Sequence, residues 1–276
     1  MKLTATLCPI AFLLLALCAA KADGPLTANE IMARVAANQD RAVEMRSHFV
    51  YKQHIHSVSR KTNGKLMREE TQDYDMFPNA SGTEKKVHSV TGRYWQDGKY
   101  LDYEGLPIPD EDSLDASFTH EMVDDEHSKD GVMSHLFPLT TEHQKEYEFE
   151  LLGQETFQGQ QVYRIRFLPK DKKDFNWTGE AYINAAEFQP VYVFTKPSRK
   201  LPFFVRSVLG VDLPGVGFNV QYARQEQDVW FPDSFGTEFQ INIFHFYRRT
   251  ISISLKNSGF QKTHVDSKIE VPAASE

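Results

Sequence analysis

Two histidines spaced by one residue on an extended segment can offer two nitrogen ligands to one metal ion, and His54 and His56 have that spacing. No third or fourth ligand can be named for them, so they read as an exposed pair on a polar strand face. His120, Glu121, Asp124, Asp125 and His127 are denser, but their spacing fits neither a metalloprotease helix nor a calcium loop. That cluster reads as a solvated acidic face. Nucleophilic chemistry has less support still: there is no Gly-x-Ser-x-Gly elbow and no phosphate-binding glycine loop, because Gly210 to Gly217 lacks the lysine and the strand-to-helix context. Asn79-Ala80-Ser81 and Asn176-Trp177-Thr178 fit the glycosylation pattern, which matters only in a host that glycosylates exported proteins. The expectation is a protein that is not an enzyme and that takes no cofactor and no metal.

Both cysteines, Cys8 and Cys18, fall in a leader with a basic start at Lys2, an apolar run from Ile10 to Ala20 and the small-residue exit Ala20-Lys21-Ala22. About a dozen apolar residues are too few to span a bilayer. We read residues 1–22 as a secretory signal peptide cleaved after Ala22, which places the mature protein in the periplasm. A second reading makes Cys18 a lipid-anchoring cysteine, although Leu17 is large for the position before it. Without thiols the mature chain depends on a core for stability. Its 41% apolar and 25% charged residues permit one. Losing Lys2 and Lys21 takes the net charge from −7 to −9, which argues against bulk attraction to nucleic acid.

The elements that must position any site begin with a helix. Thr27-Ala28-Asn29-Glu30 has the form of a capping box, and Ile31, Val35, Ala42 and Met45 recur at roughly helical spacing to Arg46. From Ser47 the period becomes two. Phe49, Tyr51 and Ile55 point one way while Lys52, His54 and His56 point the other; Thr62-Asn63-Gly64 then turns the chain into a more polar strand from Leu66 to Phe77. A third strand near Val87 to Trp95 turns back at Asp97-Gly98. Residues 104–141 form an acidic excursion, in which Met122-Val123, Val132-Met133 and Leu136-Phe137 suit short helices with one oily face and a covering role.

A hairpin follows. Tyr147, Phe149 and Leu151 alternate with Glu148 and Glu150, Gln158-Gly159 turns, and Tyr163, Ile165 and Phe167 alternate with Arg164 and Arg166, so two acids face two bases across the strands. Trp177 to Asn184, Val191 to Thr195, Phe218 to Ala223, Ser234 to Tyr247 and Thr250 to Leu255 bring the total to about ten strands. No alternation of strand and helix appears, which argues against a parallel sheet. The fold class expected is mainly β with minor α: a large curved antiparallel sheet forming an unclosed β-barrel, with an N-terminal helix and a helical lid. Residues 23–271 make one domain and 272–276 a flexible tail.

These strands carry more bulk than one helix hides. Phe239, Ile241 and Ile243 share a face while Phe244 and Phe246 take the other, and Tyr192 and Phe194 alternate with Val191 and Val193. The candidate lining of an apolar cavity is Phe49, Tyr51, Ile55, Phe149, Leu151, Tyr163, Ile165, Phe167, Trp177, Ile183, Phe239, Ile241 and Ile243. Phe203, Phe204 and Arg206, among other cations and glycines of the segment 196–217, are candidates for contact with a membrane or cargo.

Leu152-Gly153-Gln154-Glu155-Thr156-Phe157-Gln158-Gly159-Gln160 leading to Phe167-Leu168-Pro169-Lys170, and Trp177-Thr178-Gly179-Glu180-Ala181-Tyr182-Ile183-Asn184 before Pro190-Val191, resemble the outer-membrane lipoprotein-sorting family, the superfamily of LolA, LolB and the sensor domain of RseB. The resemblance runs from Thr27 to Val271 and is closest to larger, uncharacterised members. It implies a LolA-like domain with a helical lid: a non-enzymatic periplasmic carrier that binds the acyl chains of a lipidated protein or lipid for outer-membrane sorting, a monomer with inner- and outer-membrane sorting components as partners and without nucleic acid. The chain is longer than the archetypal carriers through the acidic excursion and residues 196–217, and it lacks their receptor's anchoring signal. An RseB-like sensor or scaffold that binds a protein partner is the alternative, and an exported hydrolase using unrecognised carboxylates is the third reading.

Overall fold

Strand-forming residues in period-two alternation run through most of the chain, and they hydrogen-bond in an almost unbroken antiparallel meander. A computed structural model describes residues 24–79, 82–109, 116, 136–173, 176–199, 211–212, 215–225, 228–243 and 247–263. The leader, the residue pairs Met122-Val123 and Val132-Met133, the His120 to His127 cluster, Phe244 and Phe246, the C-terminal tail, and the proposed contact residues Phe203, Phe204 and Arg206 lie outside the described residues.

Helix α1 spans Ala28–Arg46 and starts as its sequence dictates. The Thr27 hydroxyl accepts from the Glu30 amide at 3.3 Å and the Glu30 carboxylate accepts from the Thr27 amide at 2.8 Å, so two otherwise free amides are satisfied. Its buried stripe is Ile31, Met32, Val35, Ala36, Gln39, Ala42 and Arg46. Met45, expected on that stripe, is exposed, because the true stripe drifts back to Arg46.

The strands are β1 (Phe49–Arg60), β2 (Leu66–Pro78), β3 (Thr83–Gln96), β4 (Lys99–Glu104), β5 (Tyr147–Phe157), β6 (Gln160–Pro169), β7 (Trp177–Asn184), β8 (Pro190–Pro197), β9 (Val211–Asp212), β10 (Phe218–Arg224), β11 (Trp230–Ile243) and β12 (Tyr247–Lys262). The described residues hold twelve strands where about ten were expected; the two-residue β9 pairs with the end of β11 and has no sequence signature of its own. The order β4-β3-β2-β1-β12-β11-β10-β8-β7-β6-β5 puts the first and last strands side by side in the middle. Every pairing is antiparallel, and β4 and β5 are the two edges of a barrel that does not close. The chain between those edges is the acidic excursion, which ends in the one-turn helix α2 (Thr141–Gln144). Bulges at Leu151/Gly153, Asp73/Tyr74 and Tyr182/Ile183 supply local bends.

The register of the β5–β6 hairpin keeps one of the two expected acid–base pairings. Glu150 meets Arg166 at 2.9 Å, but Glu148 lies opposite Leu168, and Arg164 turns to Glu180 at 2.7 Å. Among the described residues no helix is long and apolar enough to cross a membrane, which leaves open any crossing by strands.

Candidate functional site

The face of the sheet that carries α1 is its inner face, and the sequence makes its two halves chemically different. Strands β6, β7, β8, β10, β11 and β12 send Ile165, Phe167, Ala181, Ile183, Val193, Val220, Phe239, Ile241, Ile251 and Leu255 to one buried apolar cluster. Ile31, Met32 and Val35 of α1 and Leu136, Phe137 and Leu139 from the end of the excursion join that cluster from above. Gly179 is required there: a Cβ would sit 1.8 Å from the Phe194 carbonyl oxygen and 2.7 Å from the Phe167 ring.

Side-chain hydrogen bonds fasten this cover at its rim. Asn38 donates to the carbonyls of Glu187 and Phe188, Gln39 to Gln189 at 2.7 Å, Thr141 to Asp40 at 2.5 Å, and Gln144 to the Met32 carbonyl at 2.9 Å. The buried Arg46 guanidinium donates to the Trp230 carbonyl at 2.7 Å and to Gln39 at 3.0 Å, pinning the C-terminal turn.

The other half, on β1 to β4, sets a buried polar group among apolar neighbours such as Ile55, Met76 and Val90. Even-numbered positions of β2 point inward, so Arg68, Glu70 and Gln72 are buried at 4%, 2% and 4% exposure, beside Ser57 and Ser59 of β1. The donors form a chain: Tyr74 donates to Gln72 at 2.7 Å, Gln72 to Glu70 at 2.6 Å, Tyr103 to the other Glu70 oxygen, and Arg68 to the Tyr103 hydroxyl at 3.2 Å. Arg68 also lies 3.8 Å from Glu70 and donates to the Pro109 carbonyl at 2.8 Å. Glu70, Gly92 and Tyr103 are in register across β2, β3 and β4, and a Cβ on Gly92 would meet the Tyr103 hydroxyl at 2.4 Å. The glycine is what lets the phenol reach across to Glu70. Burial, then the bond to the Glu70 carboxylate, pushes the Tyr103 phenol well above its usual range, so it remains a proton donor.

Residues 98–254 match the model of DUF5686, a family of unknown function. The chain belongs to that family. Among curated proteins none matches this DUF5686 member by sequence. Among solved structures it is similar to an outer membrane lipoprotein-sorting protein domain from Vibrio parahaemolyticus, at 12% identity and a TM-score of 0.41 over 85% of this chain and 93% of that one. It is also similar to a LolA superfamily protein from Nitrosomonas europaea, at 11% identity and 0.36 over 90% and 98%, and to a DUF1329 family protein from Desulfovibrio piger, at 11% and 0.37 over 86% and 95%. Likenesses at these scores carry no functional argument, which rests on the residues.

Ten of the thirteen lining candidates come together in this DUF5686 member. Ile55, Ile165, Phe167, Ile183, Phe239 and Ile241 are in the main cluster, and Phe149, Tyr163, Trp177 and Ile243 pack against it half-buried. Phe49 joins Val229 and Phe231 in a separate cluster, and Tyr51 stacks on Phe260 beside it at 5.3 Å. Leu151 is exposed, since β5 is an edge strand and bulges there. The cluster is shut under its cover in this structure. His54 and His56 stand on the outer face, bonded to separate carboxylates, Asp73 at 2.8 Å and Glu69 at 3.1 Å. A polar groove of about 310 Å³ at the β2 to β4 edge is bordered by Glu69, Thr71, Arg93 and Asp102 and reaches Gly92 and Tyr103.

The polar network escaped sequence reasoning, which classed β2 only as a more polar strand. A signal was present: a glycine inside a strand pattern marks a close approach, and period-two alternation puts Arg68, Glu70, Gln72 and Tyr74 on one face.

Proposed function

We propose that this protein is a non-enzymatic carrier that binds the acyl chains of a lipidated protein or a lipid against the apolar inner face of its unclosed barrel. In this reading residues 1–22 direct export to the periplasm, 23–271 form one LolA-like binding domain, and 272–276 are a tail. The observation that carries it is the apolar half of the inner face: a continuous greasy surface whose cover is fastened at the rim by side chains rather than by a strand ladder.

The magnitudes favour exchange of cover for ligand. Uncovering Ile31, Met32 and Val35 costs roughly 1.5–3 kcal/mol each. An acyl chain of about 16 carbons returns on the order of 12 kcal/mol at about 0.8 kcal/mol per buried methylene. A long chain therefore offsets the loss of the helix stripe as long as Leu136, Phe137 and Leu139 keep their places in the cluster, whereas a short one does not. Phe203, Phe204 and Arg206 are assigned, on sequence alone, to contact with the donor membrane or cargo.

The test is native mass spectrometry of protein purified without detergent, followed by titration with a fluorescent fatty acid. Bound acylated species and saturable binding that weakens steeply with shorter chains are expected. An empty protein that takes up no fatty acid overturns the carrier and leaves the sensor reading, which the edge position of β5 among the described strands favours because a partner strand can add there.

A further inference from the structure

We propose that one end of the barrel, where β1, β3, β6 and β8 finish and β12 starts, is a docking surface for an anionic phospholipid membrane. The antiparallel strand order brings those turns and strand ends to the same side of the sheet. The described residues there, 60–66, 96–99, 141–147, 169–173, 196–199, 211–212 and 247–249, hold twelve Lys and Arg against five Asp and Glu, in a chain whose net charge is −7. Positive charge is gathered at one end of an acidic molecule. At the opposite end the cation Arg224 is matched, by Glu187 at 3.1 Å and Asp228 at 2.9 Å.

Local bonds hold these cations in place without neutralising them. The Asp171 carboxylate accepts from the Lys173 amide at 2.7 Å, and Arg199 donates to the Lys172 and Lys173 carbonyls. The turn after β6 is thereby fixed while Lys172 and Lys173 stand exposed. Across the sheet, Arg60 lies opposite Thr250, so Arg248 is its diagonal neighbour on the same face. Among the described residues, none of Arg60, Lys172, Lys173, Lys196, Arg199 and Arg248 has a carboxylate within ion-pair distance.

The spread of the charge identifies the partner. In the sheet order β12, β11, β10, β8 and β7 separate β1 from β6, about 30 Å along the curved sheet at about 4.8 Å per strand. A flat anionic surface meets both groups at once, whereas a linear polyanion needs a continuous basic track. Aromatic rings at the same end suit headgroup level: Lys65 lies over Trp95 at 3.2 Å, and Tyr100, 43% exposed, meets Trp95 edge-on at 4.9 Å. Trp177 and Phe218, which belong to the apolar cluster or pack on it, open β7 and β10 here, so a docked molecule turns that end of the cluster to the lipid.

Co-sedimentation with vesicles of phosphatidylcholine alone, or with about one-third phosphatidylglycerol, tests the docking at low and high salt. Binding to the anionic vesicles only, and only at low salt, is expected. Each cation near such a surface is worth about fivefold in affinity. Lys172→Gln with Lys173→Gln, and separately Arg60→Gln with Arg248→Gln, should therefore each weaken binding about 25-fold. Lys52→Gln with Lys262→Gln removes as much charge from exposed sites toward the other end and should change it less than about twofold. Equal binding to neutral vesicles, unchanged binding by either pair at the docking end, or an equal loss with the Lys52 and Lys262 pair overturns the proposal. Tighter binding to heparin than to anionic vesicles at the same salt also overturns it, in favour of a linear polyanion. No fatty acid is present in these measurements, so their outcome is independent of the carrier reading.

Discussion

The two halves of the inner face are folded by the same antiparallel ladder and held by opposite physics. On β6 to β8 and β10 to β12 the side chains interlock, and what fixes the structure is volume. On β1 to β4 the side chains satisfy one another, and what fixes the structure is the matching of donors to acceptors. Volume is unselective toward a ligand, since any chain of adequate length fits a greasy trough. Matched polar groups are selective and contribute little net stability, because water would have satisfied them as well.

The two inner-face glycines break the comparison most sharply. In Gly179→Ala the new methyl collides with backbone, the Phe194 carbonyl at 1.8 Å, so β7 and β8 must part. We expect a loss above about 4 kcal/mol, read as a collapse of the urea midpoint. In Gly92→Ala the new methyl meets the end of the Tyr103 side chain, which can move only by leaving Glu70, and the Glu69 backbone carbonyl at 2.8 Å, a looser backbone clash than that of Gly179, so a loss of about 3 kcal/mol is expected. Equal losses would mean that the polar half is as rigid as the apolar one.

Single side chains give the next pair. Phe167→Ala removes a ring with no exposed surface and should cost about 3–5 kcal/mol. Glu70→Gln keeps the shape but leaves Arg68 with a neutral neighbour; breaking a buried pair from one side costs about 3 kcal/mol or more. The discriminating result is the double variant Arg68→Met with Glu70→Leu, which removes both charges but leaves the Gln72 amide and the Tyr103 hydroxyl without their acceptor, so it should recover only part of the Glu70→Gln loss. No cavity-forming variant of the apolar half can be rescued by a second deletion.

How much of this was legible in the sequence follows the same division. The capping box at Thr27 and Glu30, the turns at Asp97-Gly98 and Gln158-Gly159, and the alternation through Tyr163, Ile165 and Phe167 are local signals, and the structure has them where expected. Leu151 was misjudged because exposure depends on being at the sheet edge, a property of strand order. Strand order is set by pairings such as that of β1 with β12, some 200 residues apart, and no local pattern encodes it. Arg68 and Glu70 were hidden for a related reason: polar residues read as solvent-facing until the partner strands and the segment over them are known.

The tyrosines sharpen the comparison by pH. Burial and the Glu70 carboxylate raise the Tyr103 phenol above its ordinary value, so its share of stability is fully present below pH of about 10 and is lost as pH rises beyond it. Tyr103→Phe lacks the bond to Glu70 and should be less stable at pH 8 by about 1–3 kcal/mol. The gap between the two proteins should narrow as melting is repeated from pH 9 to 11. A constant gap would show that the phenol titrates normally and that the polar half is open to water.

The outer face of β2 supplies the smallest effect and the control for all the others. Asp73 is partly buried, which alone would raise its pKa, but hydrogen bonds from His54 and Ser89 outweigh that and hold it below the usual aspartate range. Its contribution is therefore present above pH of about 4 and is lost as pH falls through the lowered range. Both partners are largely solvated, 51% and 39% exposed, so His54→Ala should cost only about 0–1 kcal/mol and its effect should shrink in 1 M salt. Glu70 is three residues away on the same strand, on the buried face, and the cost of Glu70→Gln should hardly change with salt. If the two variants respond to salt alike, the inner network is as wet as the outer surface.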